Sequence, residues 1–297
     1  MAVTPLAAQE QQRWYERLRF DGDFRVRYES FRQEEAEDRG RLRIRLRAGF
    51  TLPITSTLTT GFRLASAEPG SVTSHNVNLS GGLTPKNLFI DRAWLSWTPS
   101  DRFTITGGKF GNPLERAPGL MRSELIFDDE VAPEGFHEQL TLVAGDSGVL
   151  RYLALLGEQW TLQEFSDRAD SWMLGGQAVM SLAPSERSRI TLAAGYYGFL
   201  RGNSMAQARN GNSALLITNT VVLEDGSVLE GGQPLSPPAG NPFLRFASDF
   251  RLISGSAGIS LDRAVGSSPI QLYGDVVYND GAEDQNLGWW AGLSLGT

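Results

Sequence analysis

The chain of 297 residues has no cysteine, only two histidines and only two lysines. Without cysteine there is no disulfide framework, no thiolate zinc site and no cysteine nucleophile. The histidines, His75 and His137, lie far apart and outside any metal-ligand spacing, so a histidine metal site has no support. No apolar run reaches the roughly 18 residues of a helical membrane span. Positive charge is also scarce: 27 basic residues face 34 acidic ones, for a net charge of −7. That balance argues against a nucleic-acid partner, because phosphate neutralisation needs a basic surface. Nearly every cation is an arginine, the exceptions being Lys86 and Lys109.

What the sequence does have is a period of two. Leu18, Phe20, Gly22, Phe24, Val26 and Tyr28 share one face of an extended segment, and Arg19, Asp21, Asp23, Arg25, Arg27 and Glu29 the other. After a polar joint, Leu42, Ile44, Leu46, Ala48 and Phe50 alternate with Arg41, Arg43, Arg45 and Arg47. Successive strand side chains point to opposite faces, so each segment is an apolar face backed by a charged one. Twelve such segments are predicted: 17–31, 41–51, 57–66, 88–98, 102–111, 136–145, 148–158, 171–183, 187–199, 244–261, 269–278 and 287–296. Most are longer than the five or six residues usual in soluble strands. A bulge is expected near Gly255.

The joints alternate between short and long. Residues 52–56, 99–101, 145–148, 183–186 and 262–268 are short, whereas 67–87, 112–135, 159–170 and 200–243 are long. Tight turns at one end of an antiparallel sheet and long loops at the other are the pattern of an outer-membrane β-barrel. Phe50, Trp97, Trp172, Tyr196, Tyr278 and Trp289 fall near strand ends, where barrels carry aromatic girdles. The stretch Pro234 to Pro242 reads as loop. The first residues end in Pro5-Leu6-Ala7-Ala8-Gln9, which has the small-residue look of a signal cleavage region but no basic or apolar stretch before it. Residues 1–16 are therefore taken as an N-terminal segment that is a remnant of an export signal, and 17–297 as the barrel.

Several stretches resemble the putative-porin family of Gram-negative outer-membrane barrels. They are Phe20-Asp21-Gly22-Asp23-Phe24-Arg25-Val26-Arg27-Tyr28 with Arg39-Gly40-Arg41-Leu42-Arg43-Ile44-Arg45, and Ile90-Asp91-Arg92-Ala93-Trp94-Leu95 followed by Gly107-Gly108-Lys109-Phe110-Gly111-Asn112-Pro113. Phe127-Asp128-Asp129-Glu130-Val131-Ala132-Pro133-Glu134-Gly135, Ser248-Asp249-Phe250 and Leu272-Tyr273-Gly274-Asp275 continue the resemblance. It implies an all-β, antiparallel transmembrane barrel of about sixteen strands. This chain has twelve and does not finish on an aromatic residue. Since an open edge cannot face lipid, it is either a fragment or a closed twelve-stranded barrel. Both ends read as trimmed, so a fragment is expected.

If the apolar face meets lipid, Arg19, Arg25, Arg27, Arg41, Arg43, Arg45, Arg47 and Arg63 line the lumen. A basic wall in a narrow polar channel favours anions, although Asp21, Asp23 and Glu29 share it. Counting the modest joint 32–40 as the first long one, the third, 112–135, holds Asp128, Asp129, Glu130 and Glu134. By analogy with general porins it would fold inward as a constriction loop, its acids facing the arginines. Gly145-Asp146-Ser147-Gly148 looks like a protease nucleophile segment but lacks a histidine base; a hairpin turn explains it. The acidic turn 279–284 lacks the ligand pattern of a calcium loop.

The expected function is passive diffusion of small hydrophilic solutes or ions across the cell outer membrane, with no catalytic residues, metal or cofactor. Expected partners are outer-membrane lipid and small hydrophilic solutes, and a homotrimer is the assembly to test. The alternative is a soluble all-β binding or structural protein with two packed sheets.

Overall fold

A computed structural model of the chain describes residues 13–32, 38–79, 82–114, 125–166, 169–207, 221–222, 228–229, 245–246, 248–265 and 268–296. The stretches 1–12 and 234–242 singled out above lie outside the described residues. After a short 3₁₀ turn (Trp14–Arg17) come β1 (Arg19–Phe31), β2 (Arg39–Pro53), β3 (Leu58–Ser66), the two-residue β4 (Val77–Asn78), β5 (Leu88–Ser100) and β6 (Phe103–Lys109). Then follow β7 (Glu134–Ala144), β8 (Leu150–Gln163), β9 (Ser171–Ser185), β10 (Ser188–Leu200) and a short helix α1 (Gly202–Gln207). Three two-residue strands, β11 (Val221–Val222), β12 (Val228–Leu229) and β13 (Arg245–Phe246), precede β14 (Arg251–Val265), β15 (Ser268–Asn279) and β16 (Leu287–Leu295).

One antiparallel sheet runs in the order β1-β2-β3-β5-β6-β7-β8-β9-β10-β14-β15-β16, with β4 added beside β2. These are the twelve strands that alternation predicts. The sheet is not closed, since β1 and β16 are not paired with each other. Connections 54–57, 101–102, 145–149 and 186–187 fall at one end of the sheet, and the strand ends that lead into the longer joints lie at the other. Two details differ from the sequence reading. The tenth long strand starts at Arg251 rather than 244, because Arg245–Phe246 pair with β11 in a separate small sheet. Gly255 sits in unbroken register opposite Ala194 and Val276, and the irregularity falls between Leu261 and Val265. A glycine whose backbone stays extended leaves the ladder intact, so it marks no bulge here.

The sheet has the reverse polarity of a soluble one. Its outer face exposes Phe20 at 79%, Phe24 at 66%, Trp289 at 71% and Leu293 at 57%, while Glu158 on the inner face is only 1% exposed and Asp91 6%. Water alone gives no reason to bury carboxylates and display large hydrophobic side chains. It is the polarity expected of a strand wall that separates lipid from water. In a bilayer, an arginine on the lipid face costs about 2–4 kcal/mol at the midplane. Turning Arg41, Arg43, Arg45 and Arg47 outward would therefore cost on the order of 10 kcal/mol.

The inner face is not bare. Residues 110–114 and 125–127 pack on it and bring an apolar cluster with them. Phe127 lies 4.9 Å from the Trp160 ring, 5.8 Å from Tyr197 and 6.4 Å from Phe199, measured between ring centres. Leu114 and Phe110 complete a buried cluster with Met173. This packing fixes where the acids beside Phe127 can reach.

Candidate functional site

Register creates the electrostatic problem that the site solves. Along β1 and β2, Asp23 stands opposite Arg47 and Glu29 opposite Arg41, but Arg25 stands opposite Arg45 and Arg27 opposite Arg43. Like charges directly opposite on a sheet destabilise it. The carboxylates therefore bridge diagonally. Arg45 donates to both oxygens of Asp23, Nε to Oδ1 at 3.0 Å and Nη2 to Oδ2 at 3.1 Å, and Arg47 Nε donates to Oδ2 at 2.8 Å. Glu29 accepts from Arg41 Nε at 2.6 Å, touches Arg27, and lies 3.4 Å from Arg43. The side-chain oxygen of Asn76 accepts from Arg25 at 2.7 Å, and its backbone carbonyl accepts from Arg43 at 3.0 Å.

The remaining counter-charge comes from the segment before β7. Glu130 Oε1 accepts from Arg45 Nη1 at 2.7 Å and lies 3.8 Å from Arg47 Nη1. Its other oxygen accepts the backbone N–H of His75 at 2.9 Å. The His75 ring reaches Asp91 with Nε2 at 2.8 Å, and Arg63 Nε donates to the same carboxylate. Asp91 is the extra residue where the β3–β5 register shifts, between the pairs Arg63↔Arg92 and Leu64↔Ile90. Such a bulge re-aims side chains, and it lets Asp91 and Arg92 both serve the inner face. His75 thus ties together two long loops and the sheet.

Ionisation reinforces this knot. Burial pulls the Glu130 carboxyl upward, but hydrogen bonds from His75 and Arg45 outweigh it and hold it down to about 2. Burial opposes the charged form of His75, but the hydrogen bonds with Asp91 and Glu130 outweigh it and raise its pKa above the ordinary 6.5.

Of the arginines singled out in the sequence, Arg25, Arg27, Arg41, Arg43, Arg45, Arg47 and Arg63 join this network, while Arg19 is exposed at the start of β1. The four acids separate. Glu130 meets the arginines. Asp128 accepts the Glu130 N–H at 2.6 Å and shapes the turn. Asp129 borders a recess that Arg92 also lines. Glu134 begins β7 and pairs with Lys109 at 2.9 Å. Sequence reasoning missed His75, Asn76 and Asp91 as partners of the wall. Only the Asp91-Arg92 pair, two charges in succession within an alternating strand, carried a signal.

The second histidine is also held. On β7 and β8, His137 Nδ1 lies 2.8 Å from Glu158 Oε1, and Trp160 Nε1 donates to Oε2 at 2.8 Å. Among the described residues, no group of three His, Asp or Glu side chains has the arrangement of a metal site. Ser147 lies in the exposed turn between β7 and β8.

A long-stranded antiparallel sheet with an apolar exterior and a charged interior defines the class of membrane β-barrel walls. No helix among the described residues is long and apolar enough to cross a membrane, which leaves spanning by strands open. The model of the family described as "Putative porin" matches residues 31–287, and the chain belongs to that family. No curated protein matches it. The family indicates a channel rather than an enzyme.

Proposed function

We propose that the protein is an outer-membrane porin that passes small hydrophilic solutes or ions by passive diffusion through a water-filled lumen, without catalysis. The observation that carries this is the inverted polarity of the sheet: exposed Phe24 and Trp289 on one face, buried Asp91 and Glu158 on the other. In this reading the outer face meets outer-membrane lipid. Arg25, Arg27, Arg41, Arg43, Arg45, Arg47 and Arg63 line the lumen, with Arg19 at its rim. The segment carrying Asp128, Asp129 and Glu130 narrows the passage, and Glu134 stands at its edge. The contact between Glu130 and Arg45 supports this placement, because it spans loop and wall. The soluble two-sheet alternative would need a second layer over the exposed apolar face, and the described strands put none there.

Two experiments test the reading. The folded protein should migrate differently on SDS gels with and without boiling, and it should give discrete conductance steps in a planar bilayer. A chain that stays soluble without detergent and shows neither behaviour contradicts it. Replacing Asp128, Asp129 and Glu130 by Asn should shift the reversal potential toward anion selectivity. An unchanged reversal potential would remove the constriction role. Cross-linking in outer membranes tests for a homotrimer.

A further inference from the structure

Cross-strand register assembles one polar row that the charged wall does not explain. Thr59 of β3 stands opposite Ser96 of β5, Ser96 opposite Thr106 of β6, Thr106 opposite His137 of β7, and His137 opposite Glu158 of β8. Three hydroxyls, an imidazole and a carboxylate thus cross five adjacent strands at one level of the inner face. The next level reads Gly61, Trp94, Gly108, Gly135 and Trp160. The glycines there are spatially required. A Cβ on Gly61 would come within 2.5 Å of the Trp94 ring, so the indole lies flat over this strand.

Between row and loop lies a recess of about 590 Å³, lined by Arg92, Trp94, Ser96, Thr106, Phe110 and His137 among others. That size suits a small organic ligand. Its groups have unspent capacity. The Arg92 guanidinium is laid against Gly111, and its buried Nε finds no hydrogen-bond partner among the described residues. Asp91 is 3.6 Å from that Nε, beyond hydrogen-bonding range. Glu158 engages Nδ1 of His137, which leaves Nε2 for the recess. Thr106 donates to Ser96 at 3.0 Å, and each hydroxyl keeps further donor or acceptor capacity.

The chemistry of such a lining is specific. Arg92 and Asp129, both in its lining, balance in charge, unlike the arginine-rich wall of β1 and β2, so a net anion gains little here. Closely spaced donors and acceptors beside an aromatic ring match a molecule with many hydroxyls and an apolar C–H face. We propose that this recess is a subsite for a neutral polyhydroxylated solute, a sugar of one or two rings, taken up on its way through the lumen. The proposal rests on the porin reading and names the solute class that the inner face retains.

The test is current block of the full chain reconstituted in planar bilayers, with maltose and glucose as probes and a polyethylene glycol of matched size as control. A subsite predicts saturable block by at least one sugar and only proportional, non-saturating reduction by the glycol. Ser96→Ala and Thr106→Val should weaken sugar block, and Trp94→Ala should raise the half-blocking concentration about tenfold or more, with the open conductance retained. If Trp94→Ala fails to give channels, the two hydroxyl variants decide. Equal effects of sugar and glycol, or sugar block that none of the variants weakens, would overturn the subsite while leaving the channel intact. Absence of any conductance from the unmodified protein would instead overturn the porin reading beneath it.

Discussion

At the scale of single residues, position in the pleat matters more than chemical type. Arg41 and Leu42 are neighbours in sequence, yet one joins an ion-pair network and the other is 45% exposed on the apolar face. Glycine has its clearest role at Gly135, where φ is +140° and an added Cβ would come within 2.1 Å of the Gln159 carbonyl oxygen. Gly135→Ala should destabilise the fold by about 1–3 kcal/mol, read as a lower urea midpoint in detergent; an unchanged midpoint would show that the strand relaxes freely. On the outer face, Leu155 is 45% exposed in the middle of β8. Leu155→Arg should cost about 2–4 kcal/mol in lipid if it lies near the midplane. A soluble sheet would tolerate the same change, so equal stability of the variant and the parent in bilayers would count against the lipid-facing assignment.

At the scale of elements, strands were readable and loops were not. The apolar–charged alternation of β1 and β2 needs no tertiary information, because the period alone assigns the faces. The same holds for most of the long strands, whose observed limits lie within a few residues of the predicted ones. The inward path of the segment after β6 is different. Leu114 and Phe127 lie in a stretch without periodicity, and only contacts with Trp160 and Tyr197 explain their burial. The two-residue β4 was also invisible, since it exists by extending the partner of β2 beyond the end of β3. Asp91 showed only as a second charge in succession beside Arg92, and His75 was hidden by its distance in sequence from Glu130.

The knot joining these loops should respond to pH from both sides. His75 has a raised folded pKa, so its stabilisation is complete below the ordinary 6.5 and is lost as pH climbs through the raised value. Glu130 has a depressed one, so its contribution is complete above the ordinary 4.5 and is lost as pH falls toward about 2. The loops are therefore held most firmly between about 4.5 and 6.5. Limited proteolysis of the 110–133 segment should be slowest in that window. His75→Asn should abolish the loss of protection on the alkaline side by making the loop labile throughout. A proteolysis rate independent of pH in the parent protein would contradict the latch.

At the scale of the whole molecule, two surfaces of one sheet divide the labour. The outer surface supplies apolar contact along every long strand, and the inner one concentrates arginine near β1 and β2 and hydroxyls further round. The overall charge of −7 conceals this arrangement, because the first 50 residues carry 11 basic and 9 acidic side chains while the other 247 carry 16 and 25.

The lack of cysteine makes the central claim directly measurable. Single cysteines can be placed along β14, where Ser254, Ser256 and Ser260 belong to the inner face and Ile253, Ala257 and Ile259 to the outer one. The serine changes replace one small side chain by another of nearly equal size. With the protein in lipid vesicles, a water-soluble maleimide should label the cysteines at 254, 256 and 260 and spare those at 253, 257 and 259. Labelling without that alternation, or with the opposite phase, would contradict a sheet that turns its apolar face to lipid and its polar face to a water-filled lumen.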